Sequence, residues 1–240
     1  MADLRVGGKV VDRQSAAEYA RRYLTDGSGW AFPSYDRFDD SHATGPLVDA
    51  DLLAPLLLNV TRISISTYEA LRAVRKPLQT VLDRIPLELR LENATNAELG
   101  YLGDLFGVLD GAGIKGARGT VLSKMLHRKR PAFIPLYDKR VGRVFQHGHD
   151  GGQPRIPAVP DRSWGEFAPV FGAAIQADLQ RELPLWQEIA ALAPGRPITA
   201  LRALDIVAWW AGHRDDGDLR HATTPVAQTW AASQGQPSYA

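Results

Sequence analysis

Apolar residues recur at helical spacing through most of the chain, and this periodicity constrains the fold more than any other feature. Leucine and aromatic positions three and four residues apart predict roughly eight to ten helices. We find no alternating strand pattern and no internal repeat. Residues that commonly cap helices stand at the predicted starts: Ser15, Ser66–Glu69, Asn96, Ser163–Glu166 and Thr199. The sequence therefore predicts an all-α fold, a compact multi-helix domain.

The chain has 240 residues, which is long for one domain and short for two. We expect residues 1–212 to form a single helical domain, with two lobes divided near residues 146–162 as the alternative. The apolar density falls after Gly212, so residues 213–240 are expected to be a loosely held tail. A Gly/Pro/Asp-rich loop over residues 26–48 carries four aromatic residues: Trp30, Phe32, Tyr35 and Phe38. We expect these to pack on the core, with a base-stacking platform as the alternative.

Composition excludes several classes of site. The chain has no cysteine, which removes disulfides, thiolate metal sites and cysteine nucleophiles. No apolar run approaches the roughly 20 residues that a membrane span needs. The sequence thus predicts a cytoplasmic protein without a membrane segment, and no cofactor is expected.

Positive charge is concentrated in residues 111–143. This segment holds nine of the 28 Lys and Arg residues and one of the 27 acidic residues, which makes it +8. The remainder has 19 basic and 26 acidic residues, a net charge of −7. The nine cations are Lys115, Arg118, Lys124, Arg128, Lys129, Arg130, Lys139, Arg140 and Arg143. Such a segment favours contact with a polyanion, with a solvated basic face as the alternative.

A glycine turn opens the basic segment. Gly111 and Gly113 stand between two predicted helices, one ending near Leu109 and one covering about Ala117–His127. Glycines let backbone N–H groups approach an anion, and the second helix adds the positive end of its dipole. The pattern predicts a phosphate contact at Gly111, Gly113 and Lys115, although a plain helix terminator gives the same turn.

This turn resembles the helix-hairpin-helix motif of the DNA glycosylase superfamily. The hairpin positions that match are Leu109, Gly111, Gly113, Lys115 and Ala117, while Asp110 stands where the motif has proline. A second superfamily element, Pro-Val-Asp-Thr-His-Val-x-Arg-Val, is similar to Pro135–Val144. Asp138, Val141, Arg143 and Val144 keep its positions.

The resemblance implies a helix-hairpin-helix protein that binds DNA and cleaves N-glycosidic bonds. Asp138 would be the catalytic carboxylate that stabilises the oxocarbenium-like sugar, and Lys115 would correspond to the lysine that forms a Schiff base in bifunctional members. The damaged base would be flipped out of the duplex. For Asp138 a helix N-cap is the structural alternative.

The chain as a whole resembles an uncharacterised bacterial family of helical domains. Four segments carry this likeness: Tyr35–Phe38, Leu52–Leu58, Lys124–Asp138 and Leu201–Trp209. This resemblance implies no established activity.

Two smaller patterns lie outside the basic segment. His147, His149 and Asp150 have metal-ligand side chains, but loop-like spacing without a further ligand argues against a site, and no metal is predicted. Arg202 and Asp205, three residues apart, predict an ion pair along the last helix.

Three hypotheses follow. The first is a DNA-binding protein with glycosylase-like chemistry at Asp138 and Lys115, and the second is a non-catalytic DNA-binding module. The third is a helical protein whose basic segment binds a phosphorylated small molecule or an acidic partner. DNA is the expected partner, contacted by Gly111, Gly113 and the nine cations.

Overall fold

A computed structural model describes residues 3–26, 30–38, 44–111, 118–147 and 153–213. Within these ranges the chain is mostly helical, as the apolar periodicity predicts. Gly113, Lys115, His149, Asp150 and residues 214–240 lie outside the described residues. No described helix is long and apolar enough to cross a membrane.

Helices α1 to α9 and one small hairpin make up the described regular structure, together with three short 3₁₀ turns. The hairpin strands are β1 (Leu4–Val6) and β2 (Lys9–Val11), and the 3₁₀ turns cover Ala54–Leu58, Leu91–Asn93 and Gly107–Asp110. The helices are α1 (Arg13–Thr25), α2 (Asp49–Leu53), α3 (Ile65–Leu82), α4 (Asn96–Phe106), α5 (Gly119–His127), α6 (Lys139–Gln146), α7 (Trp164–Arg181), α8 (Leu183–Ala190) and α9 (Ala200–His213).

The long helix α7 and the last helix α9 organise the core. Helix α4 packs along α7, while α6 and α8 pack along α9. At the α6–α9 crossing a Cβ on Gly212 would lie 2.3 Å from the Arg140 carbonyl oxygen. The two backbones therefore meet with no room for a side chain, which fixes the start of α6 against the end of α9.

Several helix starts differ from the predicted caps by one to three residues. Asp12 rather than Ser15 caps α1, and its carboxylate accepts the Ser15 N–H at 2.7 Å. Ser64 rather than Ser66 caps α3, and Thr95 rather than Asn96 caps α4. Each of these regions offers more than one residue that can cap a helix, so the residue types alone do not fix the start to a single position.

The capping box predicted at Ser163 and Glu166 is confirmed. The Ser163 hydroxyl accepts the Glu166 N–H at 3.2 Å, and the Glu166 carboxylate accepts the Ser163 N–H at 2.9 Å. Thr199 also caps as predicted, because its hydroxyl accepts the Arg202 N–H at 3.1 Å.

The β-hairpin is a feature that the periodicity misses. Its strands have three residues each, too short to show alternation, and they pair antiparallel around Gly7. Gly7 has a φ of +61°, and a Cβ there would lie 2.3 Å from the Val144 carbonyl oxygen. The Gly7 N–H donates to the fully buried carboxylate of Asp178, which also pairs with Arg155 and Arg181 at 3.1 and 3.0 Å.

The aromatic loop packs on the core, as predicted, and two of its four aromatic side chains are fully inside. Phe32 and Tyr35 are buried, whereas Trp30 and Phe38 are half-buried. The Tyr35 hydroxyl donates to the Lys124 carbonyl at 2.6 Å, so this loop is anchored to α5.

Candidate functional site

Four cations of the basic segment are inside the protein. Their residues are only 5, 7, 2 and 8% exposed, for Lys124, Arg128, Lys129 and Arg130 in that order. The Lys124 ammonium donates to the Leu58 carbonyl at 2.7 Å. The Arg130 guanidinium donates to the carbonyls of Leu82 and Ile85 at 2.7 and 2.8 Å. The donors of these four predicted phosphate contacts bind carbonyl groups of the chain itself.

Two of the buried cations also bind the aromatic loop and the start of α2. Arg128 donates to the carbonyls of Tyr35 and Phe38. The Lys129 ammonium lies 2.7 Å from the Asp51 carboxylate and 3.2 Å from the Pro46 carbonyl. Since Asp51 stands outside the segment in sequence, part of the segment's charge is neutralised only in the fold.

Arg202 joins three polar side chains in the interior. Its guanidinium donates to Asp36 at 2.7 Å, to the Tyr23 hydroxyl at 2.7 Å and to Asp205. The intrahelical pair with Asp205 was predicted, whereas Asp36 and Tyr23 come from distant segments. Burial raises the pKa of Asp205 to about 7, although the positive charge of Arg202 opposes that rise. This buried network ties α1, the aromatic loop and α9 together.

His127 is buried next to this network. Its Nδ1 lies 2.6 Å from the Ile134 carbonyl, which identifies Nδ1 as the protonated nitrogen. Burial lowers the pKa of His127 to about 4. The imidazole is therefore neutral near pH 7 and serves as a structural donor.

The remaining described cations of the segment stay at or near the surface. Arg118 and Lys139 are exposed, and Arg140 and Arg143 are half-buried. The Arg140 guanidinium lies 4.6 Å from the centre of the Trp209 ring, a cation–π contact. Among the predicted phosphate ligands, Gly111 is exposed, and Gly113 and Lys115 lie outside the described residues.

Asp138 is the N-cap of α6, as its position in sequence predicts. Its Oδ1 accepts the N–H groups of Arg140 and Val141, both at 2.9 Å. The residue is half-buried. The expected meeting of Asp138 with Lys115 is not tested by the described residues, since they do not include Lys115.

Asp110 has a role that the sequence pattern did not reveal. Its two carboxylate oxygens accept the N–H groups of Trp164 and Gly165 at 2.7 and 2.8 Å. Asp110 therefore caps the first turn of α7 from a distant part of the chain. Asp110 thus sets the position of Trp164.

Three helix N-termini converge on the Trp164 ring. Trp164 itself begins α7, and a Cβ on Gly119, the first residue of α5, would lie 2.3 Å from its ring. The Tyr137 ring, two residues before α6, meets it edge to face with a centroid distance of 5.4 Å. Side-chain caps serve α6 and α7, whereas α5 has neither a side-chain cap nor an acidic first-turn residue. The positive end of the α5 dipole is therefore uncompensated within the described chain.

Each of these helix starts has a cation within two residues. They are Arg118 before α5, Lys139 in α6 and Arg162 before α7. Within the described ranges no hydrogen bond or salt bridge holds any of the three side chains, but carboxylates lie at two of the same helix starts. Asp138 caps α6, Asp110 caps α7, and Glu166 interacts electrostatically with Arg162. Only the start of α5 combines a surface cation with N–H groups that no described side chain caps.

A cleft of about 440 Å³ opens beside the same tryptophan. Three aromatic rings form one wall: Tyr137, Trp164 and Phe167. Their centroids are 5.4–5.7 Å apart, and all three pairs are edge to face. The remaining lining is Gln146, His147, Ile156, Pro157, Ala158, Val159, Arg162 and Ser163.

Most of this cleft is not evident from the sequence. Tyr137 lies in the second motif and His147 has a metal-ligand side chain, but no local pattern distinguishes Trp164 and Phe167 from other residues of an amphipathic helix. Spacing could not reveal the cleft, because Tyr137 and Trp164 are joined only by tertiary packing. In the described chain no cluster of three metal-ligand side chains forms.

The fold and site together define a mostly helical domain with a surface cleft between converging helix starts. The chain belongs to DUF6308, a family of unknown function whose model matches residues 16–212. This confirms the expected membership of an uncharacterised family. No curated protein and no solved structure matched the chain.

Proposed function

We propose that this protein binds nucleic acid at the end of the molecule where α5, α6 and α7 begin. The convergence of three helix N-termini with Arg118, Lys139 and Arg162 carries the proposal. The cations supply attraction to phosphate, and the start of α5, which no described side chain caps, supplies oriented N–H groups without reading a base.

The burial of four basic residues narrows this proposal. Binding depends on a few surface cations rather than on all nine cations of the basic segment. We expect a small number of phosphate contacts and a correspondingly shallow salt dependence, since the slope scales with the number of phosphates neutralised.

Base excision is the chemistry that we propose for this site. Asp138 uses Oδ1 as a helix cap, and a carboxylate keeps a second oxygen that can face a developing sugar cation. Its half-buried position beside Tyr137 supports this role. Lys115 belongs to the proposal only through its position in the glycine turn.

Binding is tested by fluorescence anisotropy with labelled duplex and single-stranded oligonucleotides at several salt concentrations. Arg118→Gln and Lys139→Gln should each weaken binding and reduce the salt slope by about one, because each removes about one phosphate contact. Lys76→Gln and Arg62→Gln, two exposed positions outside this site, are the matched controls. Equal losses in all four variants, or no binding at low salt, would contradict the proposal.

Chemistry is tested with duplexes that carry uracil, oxidised or alkylated bases, followed by assays for base release and borohydride trapping. Asp138→Asn keeps the helix cap, because asparagine caps as well as aspartate does. We expect it to abolish base release while binding persists. Base release that survives in Asp138→Asn would contradict the catalytic role of Asp138. If no lesion is released by the unchanged chain, only the non-catalytic DNA-binding function remains.

A further inference from the structure

We propose that the cleft binds a single nucleotide, with the base against the aromatic wall and the phosphate at Arg162. The inference deepens the proposed function and rests on it only for the choice of a nucleotide over other planar anions. The nucleotide can be free or part of a single strand.

The size and charge of the cleft fit such a ligand. Its volume of about 440 Å³ is within the range of about 300–1,000 Å³ typical of small-molecule sites. Its lining includes Arg162 and His147 but no aspartate or glutamate. A ligand that is anionic at one end therefore meets no opposing carboxylate in the lining.

The aromatic wall favours a flat ligand. Tyr137 and Trp164 are half-buried, so each keeps ring surface that the core does not cover. Phe167 is buried behind them and holds both rings edge to face. Aromatic side chains with exposed faces stack on nucleobases of any type.

Polar groups that line the cleft have unused hydrogen-bonding capacity. Within the described chain, no protein group bonds to the Arg162 guanidinium, the Gln146 amide or the Tyr137 hydroxyl. Burial and the nearby Asp138 charge raise the pKa of Tyr137, so its hydroxyl stays protonated as a donor. A primary amide pairs well with the donor–acceptor edge of adenine. A nucleotide supplies both this edge and a phosphate for Arg162.

The test is calorimetric titration of the full chain with AMP, with UMP and with a short single-stranded oligonucleotide. Arg162→Gln should weaken binding at least tenfold, and Val159→Trp should weaken it comparably by filling the mouth of the cleft. Val159 is 49% exposed, so this change does not disturb the core. Arg62→Gln is the matched control and should bind like the unchanged chain.

The outcomes separate the two sources of nucleotide. AMP binding that is weakened by both cleft variants supports a site for a free nucleotide. If AMP also displaces the oligonucleotide, the same cleft binds a nucleotide within a strand as well. Oligonucleotide binding with the same variant pattern, but without measurable AMP binding, supports a nucleotide within a strand.

Two results would overturn the inference. One is ligand binding that neither Arg162→Gln nor Val159→Trp changes, which leaves nucleic-acid binding elsewhere on the surface intact. The other is no binding of either ligand. The proposed function is decided separately by the duplex titrations, so AMP binding that depends on Arg162, together with no binding of duplex or single-stranded oligonucleotides, keeps the inference and removes the proposed function alone.

Discussion

The Lys129 ammonium lies 2.7 Å from the Asp51 carboxylate, and both side chains are almost fully buried. Removing Lys129 leaves the Asp51 carboxylate with only the Arg128 guanidinium, 4.0 Å away, and removing one partner of a buried pair typically costs up to about 3–5 kcal/mol. We therefore expect Lys129→Met to lower the free energy of unfolding by about that amount in urea denaturation. Lys76→Met, at an exposed position on α3, should stay within about 0.5 kcal/mol of the unchanged chain. A loss below about 1 kcal/mol for Lys129→Met would show that the pair is not buried as described.

His127 gives the stability a definite pH dependence. Its pKa falls from an ordinary 6.5 to about 4 in the folded chain, so the unfolded chain takes up the proton first on acidification. The contribution of neutral His127 to the free energy of unfolding is fully present above pH 6.5 and is lost as the pH falls towards 4. It is on the order of 3 kcal/mol.

The His127 effect is measured as a difference between proteins. We expect the stability advantage of the unchanged chain over His127→Gln to shrink between pH 7 and pH 4.5 in urea titrations. His147→Gln, at an exposed position, gives the reference for a histidine outside the core. A constant difference across this range would exclude the burial of a neutral His127.

Two glycine substitutions should have opposite signs. Gly212→Ala places a Cβ against the Arg140 carbonyl oxygen and should destabilise the fold by about 1–3 kcal/mol through overpacking. Gly100→Ala on α4 meets no atom within 4 Å and should stabilise by about 0.5–1 kcal/mol through helix propensity. Thermal unfolding of both variants is the measurement. Equal effects would mean that α6 and α9 are not in backbone contact.

Asp110→Ala should weaken the start of α7. It removes the acceptor of two N–H groups and should cost about 0.5–2 kcal/mol, the usual range for a lost cap. Because these groups belong to Trp164 and Gly165, the tryptophan fluorescence should change as well. Asp104→Ala removes an exposed pair with Arg84 and should change neither stability nor emission by much. Matching results for the two variants would argue against a capping role.

Apolar spacing predicted the helices, and capping residues close in sequence predicted several of their starts. Asp138 and the Ser163–Glu166 box could be predicted as caps because their hydrogen-bond partners lie within three residues in the sequence. Ser15 was wrong as a cap because Asp12, slightly earlier, has the same chemistry. The β-hairpin was not predicted because its three-residue strands are too short to show an alternation of apolar and polar residues.

The basic segment shows what linear sequence cannot supply. Charge density alone does not tell whether a lysine faces solvent or a distant carbonyl group. Lys124 reaches Leu58, 66 residues earlier, and Arg130 reaches Leu82, 48 residues earlier. Both carbonyls belong to the last residue of a helical segment, the Ala54–Leu58 turn and α3, and the buried cations donate to them there. The cleft was hidden for the same reason, since its walls come from separate helices.

The bond between Gly7 and Asp178 links positions 171 residues apart. The family match begins at residue 16, so the hairpin that supplies this donor precedes the matched region. A fragment trimmed to residues 16–212 would retain the buried carboxylate of Asp178 and lose the amide that faces it. The hairpin therefore belongs to the packed structure although it precedes the matched stretch, and a fragment of residues 16–212 should be less stable than its helices alone would indicate.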